Sequence, residues 1–529
     1  MTKRGTLLLV VFIFILISFL PVLTLLIKSL FPHGDFSIEN YIVLFRSSQT
    51  WILLWNSLSL AVVTTAAALF LGVPLGILFS KTNLPFKGFF ALFFTIPFII
   101  PSYMVAVGWF YALAPQGFLA RILGTRVSGI MLHSFFGFSG AVLVMTSTHI
   151  PVVMILTMTY LGLVPPKLEE AARLSSGWIL TLRKISLPII KPGIFLAGLL
   201  VFTLTLGEFG VPSFLRYNVF PVEAFTQFSA FYNFDAAMVA TVPLGMITLL
   251  IVITERYFLR KRTFELIKGT GKEATIMIEL NQWKLLFLII VAVFTLIFVF
   301  IPLGSLISKS FSLVSYRETF VRSTDSIGRS LAYSSLGATF LTLLGFFLGY
   351  LLERKVLHFS LAIDSMAFFL FALPGTAIGI GLISLWNHPA TNFIYSSVAI
   401  IILGYIAQYA ALGERIMAAT FAQIPSSMEE AAQITGVGWF RRLRGIVAPM
   451  AKRGLIATWL IAFLFCLKDL GSTIMVYPPG HDTLPVRIFT LMANSSEEVI
   501  AALCVLMVGI AFLPLCALGI IFKKSRVKA

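Results

Sequence analysis

Residues 424–454 read IPSSMEEAAQITGVGWFRRLRGIVAPMAKRG, and residues 164–193 read VPPKLEEAARLSSGWILTLRKISLPIIKPG. The shared EEAA begins at Glu169 in one segment and at Glu429 in the other, an offset of 260. Each segment opens at proline, a favourable first-turn residue. A short polar helix with two alanines follows, then a glycine able to close a helix in the left-handed conformation. In the second copy Ser427, three residues before Glu430, is placed for a capping box. A basic amphipathic stretch comes next, with Arg183 and Lys184 in one copy and Arg441, Arg442 and Arg444 in the other. It ends at Pro188 or Pro449. The pattern predicts a helix–turn–helix elbow lying on a membrane face and built to touch another protein. One such loop would read equally well as an interfacial segment held by anionic lipid. Two copies at equivalent places make that bland reading a poor one.

Long apolar windows surround both elbows. Of the 529 residues, 58% are hydrophobic and 12% charged, with 51 Phe. That charged fraction is about half that of an average soluble protein, and one globular core cannot hide so much apolar surface. A secreted disulfide scaffold, a disordered tail protein and an ordinary cytosolic enzyme are excluded. Windows long enough to cross a bilayer, about 20 residues each, fall near 6–29, 56–80, 87–112, 136–163, 190–212 and 235–259. After a polar, basic break at 260–284 they recur near 285–308, 329–352, 360–386, 393–420, 453–477 and 498–522. The first is too long, and lacks the cleavage site, for a signal peptide. The expected fold is an all-α polytopic membrane protein with about 12 transmembrane helices.

Lys and Arg set the orientation. With the N-terminus inside, the inner segments carry 28 of the 39 and the outer loops 10. Both termini, both elbows and the 260–284 linker are therefore expected in the cytoplasm. The net charge of +17, which in a soluble chain would point to nucleic acid, is here a topology signal, and no nucleic-acid partner is expected.

The halves repeat. Asn56-Ser57-Leu58 matches Arg329-Ser330-Leu331, and PSYMVAVG from Pro101 matches PGTAIGIG from Pro374, both at an offset of 273. The offset falls to 260 at the elbows, so the first half carries 13 extra residues, expected around 113–135. The expected domains are a first six-helix half, 1–259, the linker, and a second half, 285–529. Two parallel repeats of this kind enclose a central pathway.

The E-A-A, Gly, I-x-L-P pattern of the elbows resembles the EAA loop of permease subunits in binding-protein-dependent ABC importers. Glu430, Ala431, Ala432, Gly436, Ile446 and Pro449 fit that spacing, with Ala448 where Leu is usual. The first copy is one residue shorter between Glu170 and Pro188; Gly177 is displaced, with Ser176 standing where Gly is expected. Two six-span halves fused in one chain resemble the iron(III) and thiamine permease group, and LKDLGSTIMV at 467–476 resembles that group's second half.

The resemblance implies a permease of type I ABC importer fold in the bacterial inner membrane, without ATPase activity. Two copies of a cytoplasmic ABC ATPase, using ATP and Mg²⁺, would dock at Glu169, Glu170, Ala171, Ala172 and Gly177 and at Glu429, Glu430, Ala431, Ala432 and Gly436. A periplasmic or lipid-anchored solute-binding protein would deliver the substrate. The residues agree on the ATPase: a phosphate-wrapping loop needs GxxxxGK[ST], and Gly269-Thr270-Gly271-Lys272-Glu273 lacks its first Gly and final Ser or Thr. No catalytic set and no resident cofactor are expected.

An ion-gradient-driven secondary transporter is the reading from a different class. It calls for ionisable residues mid-membrane; Glu414-Arg415 lies near a span end, where solvation is the simpler expectation. A membrane-embedded enzyme would need clustered polar groups, and the six histidines are scattered, His149 reading as pore-lining or packing. Cys466, Cys504 and Cys516 sit in apolar runs without metal spacing, and no metal site is assigned. One symmetric acidic pair remains, Glu208 and Asp469, 261 apart at the outer end of each fifth span. Either they are interfacial acids, or they line the pathway and favour a cation. The second option suits iron(III), the expected substrate and a hard ion that prefers oxygen ligands, with cationic thiamine or another small solute delivered by a binding protein as the alternative.

Overall fold

The computed structural model describes residues 3–31, 35–260 and 277–527, so the 269–273 segment and most of the linker lie outside the described residues. Among those described, the regular structure is helical, apart from one β-bridge joining Thr82 to Ile278. Helices satisfy their own backbone groups, which lipid cannot do. Among the described residues, nine helices are long and apolar enough to cross a membrane, or up to twelve if each of three bent pairs is one span. In chain order the first half contributes Lys3–Leu30, Ser48–Lys81, the pair Lys87–Ile99 and Ser102–Leu123, Phe138–Leu161, Trp178–Leu206 and Phe234–Phe258. The second contributes Asn281–Lys309, Leu313–Glu353, the pair Ser360–Ala372 and Gly375–Trp386, Ala399–Ala422, the pair Trp439–Met450 and Lys452–Leu467, and Glu497–Pro514. We number these spans one to twelve.

The spans pack as two compact units. One holds Met1–Trp51, Phe220–Thr248 and Leu313–Ala529; the other holds Ile52–Val219 and Leu249–Ser312. The units cut across the halves 1–259 and 285–529: span one groups with most of the second half, and span seven with the first.

Proline sets the irregularities. The third and ninth spans bend by 104° and 108° where Pro101 and Pro374 follow residues in extended conformation, because the residue before proline is pushed out of the α region. At the ninth-span bend Gln408 Nε2 donates to the freed carbonyls of Phe371 and Leu373, at 3.2 and 2.9 Å. Four π-turns, Ile15–Phe19, Leu182–Ser186, Leu296–Phe300 and Leu443–Val447, each end two residues before a proline. A proline cannot donate and its ring crowds the carbonyl four residues back; the wider turn accommodates both. Consequently the basic stretch of the first elbow does not stop at Pro188. It runs through as one helix, Trp178–Leu206, so span five starts at 178 rather than 190.

Spans two and eight reach further than hydropathy alone suggests, from Ser48 and Leu313 rather than 56 and 329. The start of span eight, residues 313–328, is polar enough to read as a loop, although helix continues through it. The extra residues of the first half form two short helices, Phe118–Leu123 and Thr125–Phe135. Within each half, spans two and four touch at a G-x-x-x-G pair. A Cβ on Gly72 or Gly76 would lie 2.7 Å from Val153 or Thr157, and one on Gly349 2.7 Å from the Ala418 nitrogen, while Gly345 abuts the Gly413 backbone. Small residues at this spacing let helices pack at backbone distance.

Candidate functional site: the paired elbows

Each elbow is a short helix, a turn, and a helix leading into the next span. The first elbow helix is Pro166–Arg173 and the second Ser426–Ile434. They begin after Pro165 and Pro425, whose extended backbone stops span four or ten from continuing. Helix in the second elbow begins at Ser426, so Ser427 is already inside it and makes no cap hydrogen bond. The expected capping box is absent, because the Ser427 backbone is helical and its hydroxyl is out of position for an N-cap.

The two turns close differently. Gly436 has φ of +78°, the left-handed closure expected of it. Gly177 is extended, with φ of −72° and ψ of 170°, and precedes helix Trp178–Thr181. Its counterpart is thus Gly438, which precedes Trp439–Arg442 in the same conformation. The shorter first turn closes instead with the Ser175 and Ser176 amides donating to the Ala172 carbonyl, which needs no positive φ.

Adjacent glutamates fall on different helix faces, as a step of about 100° per residue requires. Glu169 is fully buried. Its Oε2 accepts from Lys81 Nζ at 2.7 Å and its Oε1 from Ser186 Oγ at 2.8 Å. Glu429 accepts from Tyr350 Oη at 2.7 Å and from the Arg354 guanidinium at 2.9–3.0 Å. The Trp439 indole N–H reaches Tyr350 Oη at 3.3 Å, and Arg442 donates to Gln433 Oε1 at 2.8 Å. Glu170 and Glu430 are both exposed, as are Ala171 and Ala431, whereas Ala172 and Ala432 are half-buried.

Beside each outward acid stands a large apolar side chain left in the open. Leu174 is 93% exposed and Ile179 84%; at the corresponding places Ile434 is 87% exposed and Phe440 63%. Isolated exposed apolar residues need no explanation. The same two positions exposed in both copies, flanked by arginine and lysine, form a repeated surface with one acid, two apolar knobs and a basic rim.

The two halves place Glu208 and Asp469 alike, in the break after the fifth or eleventh span. Glu208 Oε1 accepts the Gly210 and Val211 amides at 3.1 and 3.4 Å, and Ser102 Oγ is 3.4 Å from Oε2. Asp469 is buried. It accepts from Tyr409 Oη, Ser472 Oγ, and the Thr473 amide and hydroxyl, at 2.6–2.9 Å. Both carboxylates thus sit at the start of a short helix, Gly210–Phe214 or Thr473–Val476. The charged pair Glu414-Arg415 is not solvated as expected. Glu414 is fully buried, and Arg415 Nε donates to the buried Asp364 at 3.0 Å with its guanidinium over the Phe368 ring.

Two residues of the candidate site escape a reading of the sequence, Lys81 and Arg354, which there count only as inner-side charges. Yet 81 and 354 differ by 273, the repeat offset of their spans, and a cation recurring at that register is the signal that marks them.

Residues 341–525 match the family model described as binding-protein-dependent transport system inner membrane component. That match falls in the half with the more regular elbow. The chain is 25% identical over 442 residues to an Fe(3+)-transport system permease protein of Haemophilus influenzae, a match covering 83% of each chain. It is 22% identical over 406 residues to a ferric transport system permease protein of Actinobacillus pleuropneumoniae, covering 73% of this chain and 58% of that one. It is 21% identical over 501 residues to a probable ABC transporter permease protein of Sinorhizobium fredii, covering 88% and 87%. Along most of its length the chain is similar to permeases of this kind.

Proposed function

We propose that this chain is the membrane-spanning permease subunit of a binding-protein-dependent ABC importer, and that it passes iron(III). The observation that carries the first part is the repeated elbow surface. An outward glutamate and two exposed apolar side chains, present on both elbows although their turns close differently, fit two copies of one partner. On this reading the elbows and both termini face the cytoplasm, and two ATPase subunits dock at Glu170 and Glu430. ATP and Mg²⁺ are used there, and this chain is non-catalytic. A periplasmic or lipid-anchored binding protein delivers the solute.

Glu170 and Glu430 are exposed just past the first turn of their helices and are free to meet a basic group on the partner, while Leu174, Ile179, Ile434 and Phe440 supply the apolar contact. Iron(III) is preferred because relatives named for ferric transport match 73–83% of this chain. Relatives named for 2-aminoethylphosphonate transport match only 30% of it.

The test is a reconstituted complex. Iron(III) uptake into proteoliposomes should require ATP, the binding protein and copurifying ATPase. Glu430→Lys together with Glu170→Lys should release the ATPase or uncouple hydrolysis from uptake. Normal assembly and uptake in that double variant would sink the docking assignment; uptake of another solute in place of iron would sink the substrate.

A further inference from the structure

We propose that Lys81–Glu169 and Arg354–Glu429 are latches that make each elbow helix move as one body with the second span of its own half. Lys81 and Arg354 are then positioning residues that carry ATPase movement into the membrane. The inference rests on the elbows being ATPase docking elements.

An elbow helix of eight or nine residues is too short to hold its own direction, so whatever grips it decides where an applied push goes. The grip is the same in both halves. The acids differ by 260, the elbow offset, and the cations by 273, the span offset, so each element brings its own partner to the pair. Each acid also faces the helix that begins the following span. Ser186 of the π-turn Leu182–Ser186 bonds Glu169. In the other half Trp439 bonds Tyr350, which bonds Glu429. Directly in the first half, and through Tyr350 in the second, the carboxylate therefore joins three elements: the end of span two or eight, the elbow, and the start of span five or eleven.

Above the latch, the G-x-x-x-G contacts fix span two to span four and span eight to span ten, at the other entrance to the same elbow. The elbow is gripped from both sides. Coupling between distant sites needs such a physical network with discrete arrangements. A buried ion pair resists sliding, because separating it leaves an uncompensated charge.

The latches differ in tightness. Lys81 and Glu169 are 1% and 0% exposed, Arg354 and Glu429 15% and 13%. The first is also strapped by the chain leaving the linker. The Ile278 amide donates to the Lys81 carbonyl at 2.6 Å, its carbonyl accepts the Asn83 amide at 3.2 Å, and Asn83 Oδ1 accepts the Leu280 amide at 3.1 Å. The second latch instead has Lys3, at the start of span one, over the Tyr350 ring.

The experiment uses the full chain with its ATPase and binding protein. Spin labels at Lys355 and Ser427, both exposed, report the distance across the intact second latch. That distance should stay the same between nucleotide-free and ATP-trapped complexes; a change of several ångströms overturns the proposal without any latch residue being altered. Glu429→Gln should leave the ATPase bound and hydrolysing while uptake per ATP falls roughly tenfold, the size of a typical coupling. Swapping the charges, Arg354→Glu with Glu429→Arg, should restore part of it. Wild-type uptake per ATP in Glu429→Gln overturns the latch, and so does release of the ATPase by that variant, because the acid would then act in docking. Failure of the unaltered chain to bind an ATPase overturns the underlying function instead.

Discussion

Gly381 packs against Pro21: a Cβ added to the glycine would lie 2.9 Å from the proline's carbonyl oxygen. Gly108 stands in the same relation to the Pro302 backbone. The carbonyls belong to spans one and seven, just past their π-turns, and the glycines to the second limbs of the bent spans. The first span of each half therefore packs on the bent span of the opposite half, in each unit separately.

Gly381→Ala and Gly108→Ala should each destabilise the protein by about 1–3 kcal/mol, the range for overpacking. Backbone atoms, which cannot rotate aside, stand in the way. Gly129→Ala, at a helical position with nothing within 4 Å of the new Cβ, is the control and should be neutral or slightly stabilising. Thermal unfolding in detergent measures all three. Equal stability of the three would contradict the close approach.

The acidic pair should split on substitution. Asp469→Asn places an amide among four donors and should cost about 1–3 kcal/mol, as for a buried group left unsatisfied. Glu208→Gln, held by longer bonds, should cost less. If instead both variants keep wild-type stability and slow uptake, the acids act on the solute rather than on the short helices behind them.

The turn glycines should not respond alike. Gly436→Val forces a branched side chain into the left-handed region, a cost of roughly 1–2 kcal/mol. Gly177→Ala meets extended backbone and open space and should be tolerated. ATPase copurification at rising temperature reads the difference, with the Gly436 variant losing its partner first. Loss of the partner first from the Gly177 variant would mean that the two turns have been assigned the wrong way round.

Orientation is open to labelling. A cysteine placed at Gly271 should be reached by impermeant reagent only after the membrane is opened, as the 28-to-10 distribution of positive charge requires. Reaction in intact cells from the outer side would overturn the cytoplasmic assignment of the linker.

Much of this is legible in the residues. Apolar windows of about 20 residues have no stable home but lipid, so hydropathy alone counts the spans. The elbows are legible because their polar repeat interrupts that pattern twice. Their internal division is not. Glu169 and Glu170 are identical in one dimension, and only the helical step turns one toward Lys81 and the other outward. Gly177 misleads for a related reason: a glycine near a helix end can close one helix or precede the next, and one residue of spacing decides which.

What the sequence determined by itself is the helical, membrane-spanning class, the twofold repeat and the two elbows. These follow from local periodicity, proline positions and hydropathy, all short-range in the chain. What only the tertiary structure decided is partnership. Lys81 meets Glu169 across 88 residues, and Asp469 meets Tyr409 across 60. Span one groups with Leu313–Ala529 rather than with its own half. Burial makes those choices, because a charge or a freed carbonyl removed from water must find its complement wherever packing brings one within about 3 Å. No local pattern encodes that distance.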